Sequence, residues 1–177
     1  MGREQIKVPY GYQPEETKQG ERGSLWVYDS FEQFTAQELA QLLELADKRA
    51  FAKIVFYPLH EETIRRMGKR LAVSPYYARA ANLESMLEET GTDLDWVIDG
   101  FEGKRKKYTP MDTAFRYLDE KYESPHFVYV TGETAQLLAG YDTFEAWIKR
   151  LRLLIADGGR AADHPRLQQF ASRWEHV

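Results

Sequence analysis

The chain has 177 residues, 43% hydrophobic and 29% charged, with a formal net charge of −4. That composition is typical of a globular domain long enough to bury a sizeable core, and the acidic balance argues against a nucleic-acid partner. The absence of cysteine excludes disulfides, thiolate metal sites and a cysteine nucleophile.

Residues 1–23 are rich in Gly, Pro, Glu and Gln. They read as a flexible N-terminal arm, with Val8, Tyr10 and Tyr12 as its candidate docking side chains. The domain proper is expected over 24–177. "SLWVY" (24–28) is a first buried strand. Ala36, Leu39, Ala40, Leu43, Ala46 and Ala50 then fall at helical steps of three and four. "AKIVFYP" (52–58) is a second strand, stopped by Pro58. A polar, basic stretch follows, containing Arg65, Arg66, Lys69 and Arg70. Residues 75–89 read as a long helix with Pro75 in its first turn. "DLDWVIDG" (93–100) is a third strand, and "FEGKRKKY" (101–108) a turn or hairpin carrying the basic run Lys104 to Lys107. The helix over 109–122 has Thr109 as its cap and Pro110 at its first position. "HFVYVTG" (126–132) is a fourth strand, ended by Gly132, and two short helices follow. "LRLLIAD" (151–157) is a fifth strand, closed by Gly158 and Gly159. The segment 164–177 reads as a last helix turning toward another strand.

Strands alternate with helices, and the strands are continuous apolar runs. This predicts an α/β fold in a single domain: a Rossmann-like three-layer sandwich with a parallel sheet of five or more strands. Ligands of such sheets bind at the carboxyl ends of the strands, near the switch in strand order. The turn after the first strand, "YDSFEQFTAQEL" (28–39), is the first place to look. "TAQE" within it has the form of a capping box, with Thr35 at the N-cap and Glu38 three residues on.

The same turn resembles the G-G-S-F-D-P-F-H-x-G-H-L pattern of the bacterial nicotinate-mononucleotide adenylyltransferases, keeping Ser30, Phe31, Phe34 and Leu39. "YTPMDTAFRYL" (108–118) is similar to the family's S-Y-T-x-D-T-L-x-x-L, and the segment from Phe127 to Ile155 to its F-I-I-G-A-D block. The resemblance covers roughly residues 24–157. It implies a nucleotidyltransferase fold with a role in NAD biosynthesis. ATP and a mononucleotide would be the ligands, with Mg²⁺ only if ATP is bound.

The departures bear on activity. The family's two catalytic histidines fall on Thr35 and Glu38, its intervening glycine on Gln37, and its glycine pair on Tyr28 and Asp29. Those histidines hold phosphate and stabilise charge as pyrophosphate leaves. Ionised Glu38 offers only acceptors there. The family's late I-S-S-T-x-I-R motif finds no counterpart before Val177. The resemblance thus implies a pseudoenzyme that binds a nucleotide or regulates a partner. The alternatives are an adenylyl- or cytidylyltransferase with altered phosphate-binding groups and a non-catalytic interaction module with a filled pocket. An open cleft near Tyr28, Thr35 and Gly132 would favour nucleotide binding.

The candidate binding residues implied in this way are Tyr28, Asp29, Ser30, Phe31, Thr35, His60, Arg65, Arg66, Tyr108, Thr109, Gly132, Glu133, Thr134 and Tyr141. Each has an ordinary structural explanation as well. Charge runs are usually solvated helix faces, and Thr109 and Asp112 serve as caps. Trp96 and Trp147 suit the core. His126 and His164 lack a second ligand at metal spacing, so no metal site is expected. No nucleophile-elbow pattern supports a Ser–His–Asp hydrolase. No apolar stretch approaches a membrane span, and no signal peptide opens the chain. The expected compartment is the cytoplasm, and a homo-oligomer or a protein partner is compatible with the composition.

Overall fold

The computed structural model describes residues 22–68, 72–156 and 163–177. Most of the N-terminal arm, Lys69 and Arg70 of the basic stretch, and the Gly158–Gly159 pair lie outside the described residues. Among those described, no helix is long and apolar enough to cross a membrane.

Six strands form one all-parallel sheet: β1 (Ser24–Asp29), β2 (Lys53–Pro58), β3 (Trp96–Ile98), β4 (His126–Val130), β5 (Leu151–Ile155) and β6 (Trp174–His176). Their spatial order is β3-β2-β1-β4-β5-β6. The order switches between β1 and β4, so the carboxyl ends of these two strands frame the expected ligand crevice. β1 is central, with Trp26 opposite Val55 on one side and Val128 on the other. A strand covered on both faces needs apolar side chains in both directions. Trp26 and Tyr28 enter one core, Leu25 and Val27 the other.

The helices are α1 (Ala36–Lys48), α2 (Glu61–Arg66), α3 (Tyr76–Thr90), α4 (Phe101–Arg105), α5 (Met111–Lys121), α6 (Gly132–Ala139), α7 (Phe144–Ile148) and α8 (Pro165–Gln169). Residues of α2, α5, α6, α7 and α8 pack on the Trp26 face. α1 and α3 pack on the Leu25 face. Among the described residues, no helix covers β6 on that second face. This asymmetry leaves a groove beside α1.

Several local expectations are corrected. The segment 101–108 is no hairpin: it opens with α4, because the Asp99 carboxylate accepts the Phe101 N–H at 2.9 Å and satisfies the first turn. The segment 164–177, by contrast, runs as expected from a helix toward a strand, through a short helix and a 3-10 turn into β6. Trp174 pairs with β5 and donates its indole N–H to the Leu167 carbonyl at 2.6 Å. Pro75 and Pro110 stand at the N-cap, one residue before the helix.

Helix α4 is anchored by Glu102, whose residue is 0% exposed. Its carboxylate accepts from the Tyr57 hydroxyl at 2.7 Å and from the His60 N–H at 2.7 Å. Burial pushes this carboxyl from 4.5 up to about 7, against hydrogen bonds from His60, Tyr57 and Thr63 that pull it down. A raised value means the folded protein keeps a proton that the unfolded chain releases. The Glu102 contribution to stability is therefore fullest below 4.5 and is lost as pH rises to about 7. The expected loss is on the order of 3 kcal/mol. Urea unfolding of the wild type and of Glu102→Gln across that window measures it: the difference between the two should change with pH, and a constant difference refutes the assignment.

Candidate functional site

The site begins where β1 hands over to α1. Thr35 has extended backbone and caps the helix. Its hydroxyl accepts from the Glu38 N–H at 3.1 Å, and the Glu38 carboxylate accepts from the Thr35 N–H at 2.8 Å. The capping box expected from "TAQE" is present in full. Upstream, the Asp29 carboxylate accepts from the Phe31 N–H at 3.0 Å, and the Ser30 hydroxyl accepts from the Glu32 N–H at 3.2 Å. Phe31 takes a positive φ of 63°, which turns its ring into the second core against Phe34 and Phe56. The amides that a phosphate loop would present are thus bonded to the protein's own oxygens.

Beside this turn lies a cleft of about 480 Å³. Asp29 and Glu38 line one end of it, and Val130 and Thr131 mark the end of β4. Phe34, Leu42, Leu45 and Tyr129 give it apolar walls, and Arg49 and Glu175 stand at the far end. Its volume suits one small ligand. Of the expected residues Tyr28, Thr35 and Gly132, none lines it; their chain neighbours Asp29, Phe34 and Thr131 do, and Tyr28 lies in the other core.

Tyr28 is buried on the first face, stacked on Tyr57 with ring centroids 5.6 Å apart and edge-on to Phe115 at 5.5 Å. Burial raises its hydroxyl well above the usual phenol range, with Glu102, Tyr141 and Tyr108 adding to the effect. Tyr141 is half-buried, and burial raises its hydroxyl too, with a further push from Tyr108. Arg66 stands over the Tyr108 ring at 4.3 Å. The structure therefore splits the candidates. Asp29, Thr35 and Glu38 face the second side of the sheet; Tyr28, Arg66, Tyr108 and Tyr141 gather on the first.

The remaining candidates are mostly structural. His60 caps α2, its Nδ1 accepting from the Glu62 N–H at 3.1 Å. Arg65 is exposed and pairs with Glu62. Thr109 is no helix cap: it is buried, donates its N–H to the Thr63 hydroxyl at 2.9 Å and accepts from Arg105 Nε at 3.0 Å. Arg105 is thereby drawn inward, so the Lys104 to Lys107 run is not one continuous patch. Gly132 opens α6 at the end of β4. Thr134 is buried and donates its N–H to the Thr131 hydroxyl at 3.2 Å, while Glu133 is exposed. Asp112 is no cap either; its carboxylate accepts from Trp147 Nε1 at 2.8 Å at the rim of the first core and pairs with Arg116 at 2.6 Å. Trp96 is half-buried at the sheet edge rather than fully in the core.

One residue the sequence reading passed over organises the whole corner. Arg79 is 3% exposed. Its guanidinium donates to the carbonyls of Ser30 at 2.7 Å, Leu59 at 2.8 Å and Ser74 at 2.7 Å, and pairs with Glu61 at 3.1 Å. Burial works to lower its pKa, opposed by the carboxylates of Glu61 and Glu32. The available signal was its spacing: Arg79, Leu83 and Leu87 share the buried face of α3. Glu32 completes the corner by accepting from the Ser74 N–H at 2.9 Å.

At the opposite end of the sheet, Ser24, His126 and Asp119 form a Ser–His–Asp line, with Ser24 Oγ 3.2 Å from His126 Nδ1 and His126 Nε2 2.8 Å from Asp119. It is not a hydrolase triad. Ser24 is 1% exposed, and its hydroxyl also donates to the Glu123 carbonyl and accepts from the Trp26 indole.

No family model matches this sequence, and no curated protein matches it. Solved structures do resemble the fold. The Plasmodium falciparum nicotinic acid mononucleotide adenylyltransferase complexed with NaAD superposes with a TM-score of 0.62 at 12% identity, over 87% of this chain and 74% of that one. The same enzyme complexed with APC gives 0.61 at 11% identity, over 88% of this chain and 74% of that one. The chain therefore has a Rossmann-like, nucleotidyltransferase-like α/β fold, and at this identity the likeness speaks to fold alone.

Proposed function

We propose that this protein binds a nucleotide in the cleft beside α1 but does not transfer adenylyl groups efficiently, acting as a nucleotide-binding or regulatory protein, with the cytoplasm as its compartment. The observation that carries this reading is the closed start of α1. A helix N-terminus attracts phosphate through its free N–H groups and its positive dipole end. Here Thr35 and Glu38 occupy two of those N–H groups, their own, reciprocally, and Glu38 adds a negative charge where a leaving pyrophosphate would need positive charge. Asp29 adds a second carboxylate to the same end of the cleft.

Losing one positioned charge-stabilising group typically costs ~10²–10⁴ in rate, and the resemblance implies two such losses. The cleft of about 480 Å³ remains large enough for a base or a nucleoside. Arg66, Tyr108 and Tyr141 supply a cation and aromatic rings on the other side of β1, where a mononucleotide could be held. Mg²⁺ would enter only with ATP.

Pyrophosphate release from ATP and CTP, with nicotinate or nicotinamide mononucleotide as co-substrate, tests the reading alongside an authentic adenylyltransferase. The expected result is no release above the enzyme-free blank; clear turnover overturns it. A second experiment addresses the cause. Thr35→His, Gln37→Gly and Glu38→His, combined, should tighten ATP binding by roughly tenfold, the worth of about one charge-assisted hydrogen bond. Unchanged ATP affinity in a folded variant would show that the helix start is not what limits phosphate binding.

A further inference from the structure

Among the described strands, the sheet ends at β3, whose residues Trp96, Val97 and Ile98 are all half-buried. β3 bonds β2 through alternate residues. The Asp95 carbonyl accepts from the Ile54 N–H at 2.9 Å, and the Asp99 N–H donates to the Phe56 carbonyl at 2.8 Å. By that alternation Val97 also faces β2, while Trp96 and Ile98 turn their N–H and C=O away from it, toward the side where no described strand lies. A groove of about 640 Å³ runs along this edge. Helix α3 lines it with Tyr77, Ala81 and Glu84, and α4 with Gly103 and Lys104. Tyr77 is 76% exposed, the most exposed large apolar side chain among the described residues. An open strand edge flanked by apolar groups is a surface for pairing with another chain. Charge along it is ordered. The Tyr76 hydroxyl donates to the Asp99 carbonyl at 3.4 Å, so the start of α3 lies at the carboxyl end of β3. Lys104, in the short helix that follows Asp99, stands at that end too. Glu84 is two helical turns beyond Tyr77, roughly 10 Å along α3. With the exposed Asp95 it makes the amino end acidic.

We propose that β3 pairs with β3 of a second copy of this chain, antiparallel about a two-fold axis at Val97, so that the two sheets become one. A two-fold contact must be self-complementary, and this edge is. Trp96 of each copy exchanges N–H···O=C bonds with Ile98 of the other. The axis sets Tyr77 beside Glu84 of the second copy. Ala81 lies between them on α3, and its small side chain lets the two helices approach. On the other face, Asp95 shares the side of Val97 by the alternation of the strand, and that is the side of α4. There the axis brings Lys104 level with Asp95 of the second copy. Asp99 stands at the same level, but its carboxylate is turned inward onto the Phe101 N–H and the hydroxyls of Tyr117 and Tyr122. Lys104 is therefore the charge that Asp95 meets. A parallel pairing would set base on base and acid on acid. β3 and β6 are opposite edges of the sheet, and residues of β1, β4 and β6 line the cleft beside α1. The dimer leaves that cleft open, and the inference does not depend on its binding a nucleotide.

Sedimentation equilibrium of the full chain without nucleotide tests this. The expected species at about 0.5 mM is a dimer of the 20.7 kDa chain, in reversible exchange with monomer. Ile98→Pro deletes an outward N–H at an edge position that tolerates proline, and should weaken the dimer at least about tenfold. Ala81→Glu, at an exposed helix position, should do the same without touching the sheet, which covers the case of a proline variant that fails to fold. Lys104→Glu and Asp95→Lys should each weaken the dimer by about tenfold, and the two together should restore it. A chain that stays monomeric at about 0.5 mM overturns the proposal. So does a dimer indifferent to Ala81→Glu, or a pair of charge reversals whose effects add instead of cancelling. ATP affinity should be the same in Ala81→Glu as in the wild type, so this inference and the reading of the cleft fail separately.

Discussion

The corner on which this molecule depends is the buried guanidinium of Arg79. The carbonyl ends of β1 and β2 and of the loop before α3 all point inward at the same place. Buried carbonyls need donors, and Arg79 supplies them to Ser30, Leu59 and Ser74 at 2.7–2.8 Å. Glu61 accompanies the charge, at 3.1 Å. With the Glu32 bonds to Ser74, the turn after β1 is held from two directions. Its shape, and so the shape of the cleft, follows from that cross-brace rather than from glycines.

The turn after β1 carries carboxylates and bonds its own amides. A helix start has a small set of unsatisfied N–H groups. Whichever acceptor reaches them takes both the hydrogen bonds and the favourable field. A phosphate arriving from solvent competes with Glu38, which is tethered three residues away and already in position. The tethered carboxylate competes at a high effective concentration, which a free ligand must exceed or outbind. A ligand of this cleft is therefore better held by its apolar surface and by contacts further from the helix start.

Much of this was legible in the sequence. The five main strands read as continuous apolar runs because each sends side chains into both cores, and the capping box announced itself in four residues. What stayed hidden depends on partners far apart in the chain. Glu102 looks like one more charge in a basic run, and only Tyr57 and His60, over forty residues away, make it a buried anchor. Thr109 has the form of a cap but is drawn into the interior by Thr63 and Arg105. The short strand β6 has too few residues to show a period, and its pairing with β5 depends on Arg152, Trp174 and Glu175 meeting across the chain.

The two faces of the sheet fix where function can lie. The first is filled by five helices and carries its aromatic rings inward, so Tyr28 and Tyr57 are packing groups first. On the second, α1 and α3 form the helix layer among the described residues, and the cleft beside α1 has carboxylates at Asp29 and Glu38 and the ion pair of Arg49 and Glu175 at its other end. Such an order is not needed for packing, since an apolar layer would cover the strands more simply. It gives direction: a ligand entering the cleft meets carboxylates at one end and an ion pair at the other. Carboxylates at the helix start favour a ligand that brings a donor or a cation to that end of the cleft.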